Sequence, residues 1–173
     1  HKNSLPWEFA KFVDTVKPKI ALLENVTGIL RPFSGNDGVK YFAWIELAKA
    51  FSQVGYVPLC LHVNAKYVGV PQNRPRFILL GIREDIFKAL KPKLNSAERT
   101  IFAEPFSFYL SAKYGLEDNL GKLRCVDVSS DTDWRLMTES FLKPLVQSKS
   151  VTSVKEAIHD LRTGGRSGKS KFF

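Results

Sequence analysis

Two short segments carry side chains whose types and spacing could do chemistry. The first is Glu24-Asn25-Val26, followed by Thr27-Gly28, at the end of an apolar run of strand length from Lys19 to Val26. In open α/β sheets the carboxyl ends of strands are where ligands bind, so a carboxylate and a carboxamide there form a candidate site. The plainer reading is a surface strand end in which Asn25 starts a turn. The second segment is Gly69-Val-Pro-Gln72-Asn73-Arg74-Pro75-Arg76, which runs into another apolar stretch. Arg74 and Arg76 are two apart, so on extended backbone they point the same way, with Gln72 on that side too. Two guanidinium groups on one face can clamp a phosphate and also donate to a carbonyl oxygen. A basic loop before a strand would look the same.

The elements that must position these groups follow from the apolar spacing. Trp7, Phe9, Ala10, Phe12, Val13 and Val16 recur at helical intervals over Leu5 to Val16, and Pro18 ends that helix. A polar stretch with Pro32, Gly35 and Gly38 reads as a loop. Val39 to Val54 carries an apolar face of Phe42, Ile45, Leu47, Ala48 and Phe51 and predicts a second helix. Tyr56 to Val63 and Arg76 to Ile82 read as strands, the latter branched enough to be buried. Helix, strand, helix, strand, short turn, strand is an α/β pattern and predicts a largely parallel sheet.

Beyond residue 90 this rhythm stops. Pro92, Asn95, Pro105, Gly115, Gly121 and Pro144 interrupt residues 91–150, while Phe102, Phe106, Phe108, Tyr109 and Tyr114 keep them apolar. The reading is an irregular segment packed on residues 1–90, with packing rather than base stacking as the use of its aromatics. Residues 151–162 predict a short amphipathic helix capped by Thr152 or Ser153, with Glu156 completing a capping box. The tail from Arg162 to Lys171 is basic and has no acidic residue.

Composition bounds the function. The chain has 173 residues, with 26 Lys and Arg against 17 Asp and Glu, a net charge of +9 and a pI near 9.6. A polyanion such as nucleic acid is the first partner to consider. No apolar run is long enough for a transmembrane helix, and residues 1–30 do not read as a secretory signal. Cys60 and Cys125 form no CxxC pair, so neither a disulfide framework nor a zinc site is expected, and a reducing, cytoplasmic setting fits. His62 and His159 read as ordinary strand and helix residues. Trp7, Trp44 and Trp134 lack the spacing of a stacking platform.

Taken together, these segments resemble the cytosine-5 DNA methyltransferase family. "KPKIALLENVTGIL" is similar to its motif VI and "VNAKYVGVPQNRPRFILLGIR" to its motif VIII, with the Val39–Val54 helix where motif VII lies. "KNSLPWEFAKFV" resembles motif V, with Leu5 at the cofactor-contacting leucine, and "VTSVKEAIHDL" resembles a segment that precedes the target-recognition region. The resemblance implies a partial Rossmann-like methyltransferase domain. Residues 1–90 would be the second half of the catalytic domain, 91–150 an insertion packed on it, and 151–173 a helix and tail leading toward a target-recognition domain. It further implies duplex DNA as substrate, a flipped target cytosine and S-adenosylmethionine as methyl donor. A restriction endonuclease is an implied companion. Nucleoid association would follow from the substrate, and no metal is implied.

The family chemistry assigns roles. A cysteine thiolate adds to carbon 6 of cytosine, carbon 5 then takes the methyl group, and loss of the carbon-5 proton releases the enzyme. By resemblance, Glu24 contacts N3 and the exocyclic amine as a proton-sharing acid. Arg76 donates to O2, and Arg74 orients the carboxylate or holds a backbone phosphate. Asn25 shapes the active-site turn, and Gln72 fits the DNA-acting enzymes better than their tRNA-acting relatives. The family's Pro-Cys-Gln nucleophile motif is not in this sequence, nor is its glycine-containing cofactor loop. The expectation is therefore a fragment that does not methylate DNA alone and relies on the remainder of the enzyme. The other readings are a non-catalytic nucleic-acid-binding or regulatory module on the same fold, and a tRNA cytosine-5 methyltransferase.

Overall fold

A computed structural model describes residues 5–34, 38, 40–115, 122–150 and 152–159. Helix α1 (Leu5–Val16) turns Ala10 and Val13 into the core and leaves Phe12 and Val16 exposed. It ends where Lys17 takes a left-handed φ of 51° and donates its backbone N–H to the Val13 carbonyl, ahead of Pro18. Strand β1 (Ile20–Val26) alternates strictly over its first five residues, with Ala21 and Leu23 buried and Ile20, Leu22 and Glu24 exposed. The stretch expected to be a loop holds a small hairpin, β2 (Pro32–Ser34) with β3 (Lys40–Phe42), so helix α2 begins at Ala43 and runs to Gln53. Strands β4 (Tyr56–Asn64) and β5 (Pro75–Arg83) follow.

The sheet order is β1-β5-β4-β6, where β6 is Val126–Asp127. The expectation of a largely parallel sheet is corrected here. β5 lies antiparallel to both β1 and β4, and only β4 and β6 pair in parallel, over two residues. The reason is the connection from β4 to β5, about ten residues long, which closes as a turn and cannot carry the crossover a parallel neighbour needs. α2 does carry the chain from β1 to a strand of the same direction, but β5 is inserted between them.

Residues 91–150 also depart from the expected irregularity. Helix α3 (Glu84–Leu90) leads to helix α4 (Ser96–Tyr114), which spans 19 residues despite Pro105 within it. Its start is secured by a complete capping box of Asn95 and Glu98, and its end by Gly115 at a φ of 70°. Helix α5 (Asp131–Thr138) is capped by Ser130. The expected helix over 151–162 is described as one turn, α6 (Val154–Ala157), with Ser153 and Glu156 forming the capping box; residue 151 and the tail from 160 lie outside the described residues.

Two apolar layers sandwich the sheet. On one face Ala21, Leu23, Cys60, Phe77 and Leu79 pack against Val13 of α1 and Leu47 and Phe51 of α2. On the other, Val57, Leu59, Leu61 and Ile82 pack against Phe87, Phe102, Tyr109 and Met137. α4 serves both layers, through Phe108 and Ala112 on one side and Ile101, Phe102 and Tyr109 on the other. Pro58 sits in β4 opposite Gly81. Because the His62 carbonyl accepts from Val128 on the β6 side, alternation aims the missing Pro58 N–H to that side as well, away from β5. The second face stays uncovered at β1, where Ile20, Leu22 and Val26 are each more than half exposed.

Candidate active site

The end of β1 and the start of β5 bring the two chemically equipped segments together. In the antiparallel register Val26 faces Arg76 and Glu24 faces Ile78, so Glu24 and Arg76 are diagonal neighbours on one face. The Arg76 Nε donates to Glu24 Oε1 at 2.5 Å, and its Nη1 donates to the Pro75 carbonyl at 2.8 Å. The arginine is the more buried partner: its side chain is 20% exposed against 53% for the glutamate. The carboxylate is thus held by one fixed donor and otherwise faces open space.

That space is a cavity of about 800 Å³ walled by Phe9, Phe12 and Leu22 on the apolar side and by Glu24, Arg74 and Arg76 on the polar side. Asn25 also lines it, and its Oδ1 accepts the Val26 N–H at 2.8 Å, which fixes the strand end. Arg74 is exposed and has no carboxylate partner among the described residues. Gln72 is exposed on the preceding loop and does not line the cavity. Leu5 opens α1, and its side chain lies outside the described residues. The carboxylate contact that the resemblance offers to Arg74 is made here by Arg76.

Asn64, the asparagine of the segment similar to motif VIII, organises the arginine segment. Buried at the end of β4, it accepts the Arg74 N–H at 3.0 Å and the Lys66 N–H at 3.2 Å through Oδ1, and donates to Asn73 Oδ1 at 2.8 Å. Gly69 lets the intervening chain reverse, with a φ of 81° that a side chain would oppose. Asn64, Glu24, Arg74 and Arg76 share a second cavity of about 190 Å³ on the far side of the clamp. An asparagine just ahead of a turn, ten residues before an arginine, was the only signal of this role in the sequence.

Neither cysteine is poised as a nucleophile. Cys60 is fully buried in the layer under β4, on the face opposite Glu24, and burial pushes its thiol well above its ordinary value. Burial, reinforced by Asp127 and Asp133, pushes the Cys125 thiol up to about 12. Among the described residues no cluster of three or more His, Cys, Asp or Glu side chains could hold a metal ion, and no helix is long and apolar enough to cross a membrane.

A family model for C-5 cytosine-specific DNA methylase matches residues 1–161. The chain belongs to this family. Among curated relatives it is 40% identical over 83 residues to the orphan methyltransferase M.SPRI of Bacillus phage SPR, across 46% of this chain and 18% of the relative. Identity is 37% over 84 residues to the type II methyltransferase M.DdeI of Desulfomicrobium norvegicum, across 49% of this chain and 20% of that enzyme. It is 29% over 132 residues to the type II methyltransferase M.PspPI of Psychrobacter, across 76% of this chain and 28% of that enzyme. The chain therefore covers only between 18% and 28% of the length of these relatives. No solved structure matches it.

Proposed function

We propose that this chain supplies the base-binding part of a DNA cytosine-5 methyltransferase. The observation that carries the reading is the Glu24–Arg76 pair at the mouth of the large cavity. Cytosine presents an exocyclic amine that donates and a carbonyl oxygen that accepts, and a carboxyl beside a guanidinium offers the complementary acceptor and donor. A flipped cytosine would place N3 and the amine on Glu24, which shares a proton with N3, and O2 on Arg76. Polarising the ring in this way favours nucleophilic addition at carbon 6. Arg74, free of a carboxylate, would hold the strand beside the base. Leu5 is proposed for the methyl donor's edge of the site, Asn25 for the turn and Gln72 for the rim.

The methyl group would come from S-adenosylmethionine, whose sulfonium supplies an activated carbon. The fit is to one wall: Phe9, Phe12 and Leu22 give the cavity an apolar side suited to an uncharged ring system. Cys60 and Cys125 do not supply the thiolate, so the proposal assigns this chain base recognition and not nucleophilic attack. A net charge of +9 supports a duplex DNA partner.

The test is binding of duplexes that carry one unpaired cytosine or one unpaired thymine, read by fluorescence anisotropy. The cytosine duplex should bind more tightly. Glu24→Gln should reduce that preference by about tenfold or more, the range for losing one well-made base contact. Equal binding of both duplexes by the unaltered chain would sink the reading.

A further inference from the structure

A third cavity, of about 500 Å³, lies at the end of β4, where it shares Asn64 with the smaller cavity, and plays no part in the chemistry above. Its walls are the turn after β1, the end of β4, the following 3-10 turn and the turn after β6. Arg31, His62 and Lys66 line it, together with the Asn64 carboxamide. Arg31 and Lys66 have no carboxylate partner among the described residues; Lys66 sits 4.7 Å from the centre of the Tyr67 ring.

The acidic group in this cavity, Asp127, is already engaged. Its Oδ1 takes His62 Nδ1 at 2.9 Å, the Ser129 hydroxyl at 2.7 Å and the Ser129 N–H at 2.8 Å. Burial acts against its charge, but the hydrogen bonds from Ser129 and His62 outweigh burial and hold the carboxyl below its ordinary range. An ionised carboxylate only accepts, so Nδ1 carries the proton, and Nε2 is the nitrogen left for a ligand. The cavity therefore offers two cations without an acidic partner among the described residues, Arg31 and Lys66, beside a single carboxylate whose Oδ1 is already taken by three donors, and this excess of positive charge suits an oxyanion.

Its position indicates which oxyanion. Asn64 separates this cavity from the smaller one that Glu24, Arg74 and Arg76 line, and Thr27 on its wall lies three residues beyond Glu24. We propose that Arg31 and Lys66 hold a backbone phosphodiester of the DNA strand whose base enters the Glu24–Arg76 site. The proposal rests on the reading of that site as a cytosine pocket.

The experiment follows duplex binding by the whole chain across a salt series, with the double variants Arg31→Gln/Lys66→Gln and Lys19→Gln/Lys93→Gln. The second pair is a control of equal charge at the opposite end of the sheet. Each neutralised phosphate contact contributes about 0.9 to the slope of log K against log salt. The cavity variant should lower the slope by about 1. The control should leave it within error, and circular dichroism should show both variants folded. An unchanged slope in the cavity variant, an equal fall in the control, or no duplex binding by the folded unaltered chain each overturns the phosphate site. Loss of slope with intact preference for cytosine separates this site from the base pocket; equal binding of cytosine and thymine duplexes with a changed slope overturns the base reading alone. A parallel titration with inorganic phosphate, followed by the His62 ring resonances, identifies the source. Saturation by free phosphate together with an unchanged duplex slope means a phosphate-ion site and refutes the strand contact.

Discussion

The buried Asn64 carboxamide accepts the backbone N–H of Arg74 at 3.0 Å, so the end of one strand dictates where the arginine segment leading into the next strand begins. With Asn73 and Lys66 on the same carboxamide, three polar groups are satisfied by one side chain. Asn64→Ala strands those groups in a half-buried turn. The expected cost is about 1–3 kcal/mol in urea denaturation, the range for unpaired buried polar groups. A variant with unaltered midpoint would show that the turn holds itself.

Gly81 is set by contact and not by backbone angle. A Cβ there would stand 2.7 Å from Phe51 Cδ1 and 3.4 Å from Tyr56 Cβ, both in fully buried side chains. Gly81→Ala should therefore lower stability by about 1–3 kcal/mol, the usual cost of overpacking. Thermal unfolding of the two proteins checks it.

Acid stability should depend on Glu84. Hydrogen bonds from Lys113 first and Lys88 second lower its carboxyl to about 2 from an ordinary 4.5. A depressed folded-state value means the contribution is complete above about 4.5 and is lost as pH falls toward 2. In Glu84→Gln the stability difference from the parent should shrink across that window. Parallel denaturation curves at pH 7 and pH 3 measure it; a constant difference at both would rule the linkage out.

The uncovered face of β1 should make the chain self-associate. Ile20, Leu22 and Val26 are exposed at 54%, 57% and 55%, and Phe12 of α1 shares the large cavity with Leu22 and Val26. An apolar strip of this kind on an edge strand is a template for pairing. Ile20→Lys with Leu22→Lys should shift sedimentation velocity toward the monomer with little change in unfolding midpoint. Identical sedimentation profiles would place the association elsewhere.

Much of this arrangement was legible in the sequence, for identifiable reasons. The apolar spacing of Leu5 to Val16 and the strand-length runs at Ile20, Tyr56 and Arg76 predict elements close to those found, because each buries a face along its own length. Strand direction was harder, since the same alternation serves parallel and antiparallel neighbours; the short connection from Asn64 to Pro75 was the deciding clue. α4 was hidden by Pro105 and a weak apolar stripe, although Asn95, Glu98 and Gly115 mark its two ends. Glu24, Arg74 and Arg76 were visible as a constellation, and the cavity they line brings them together. The His62–Asp127 pair was not, because 65 residues separate its members and only the sheet joins them.

Pro58 has a consequence for how the sheet can grow. On the β4 side, α4 lies over the strand beyond the reach of β6, and a residue without an N–H stands where a further strand would need a donor. On the β1 side, no pairing is made beyond the strand among the described residues. The β1 edge is therefore the one long enough to take a further strand along its whole length, whereas β6 offers only two residues.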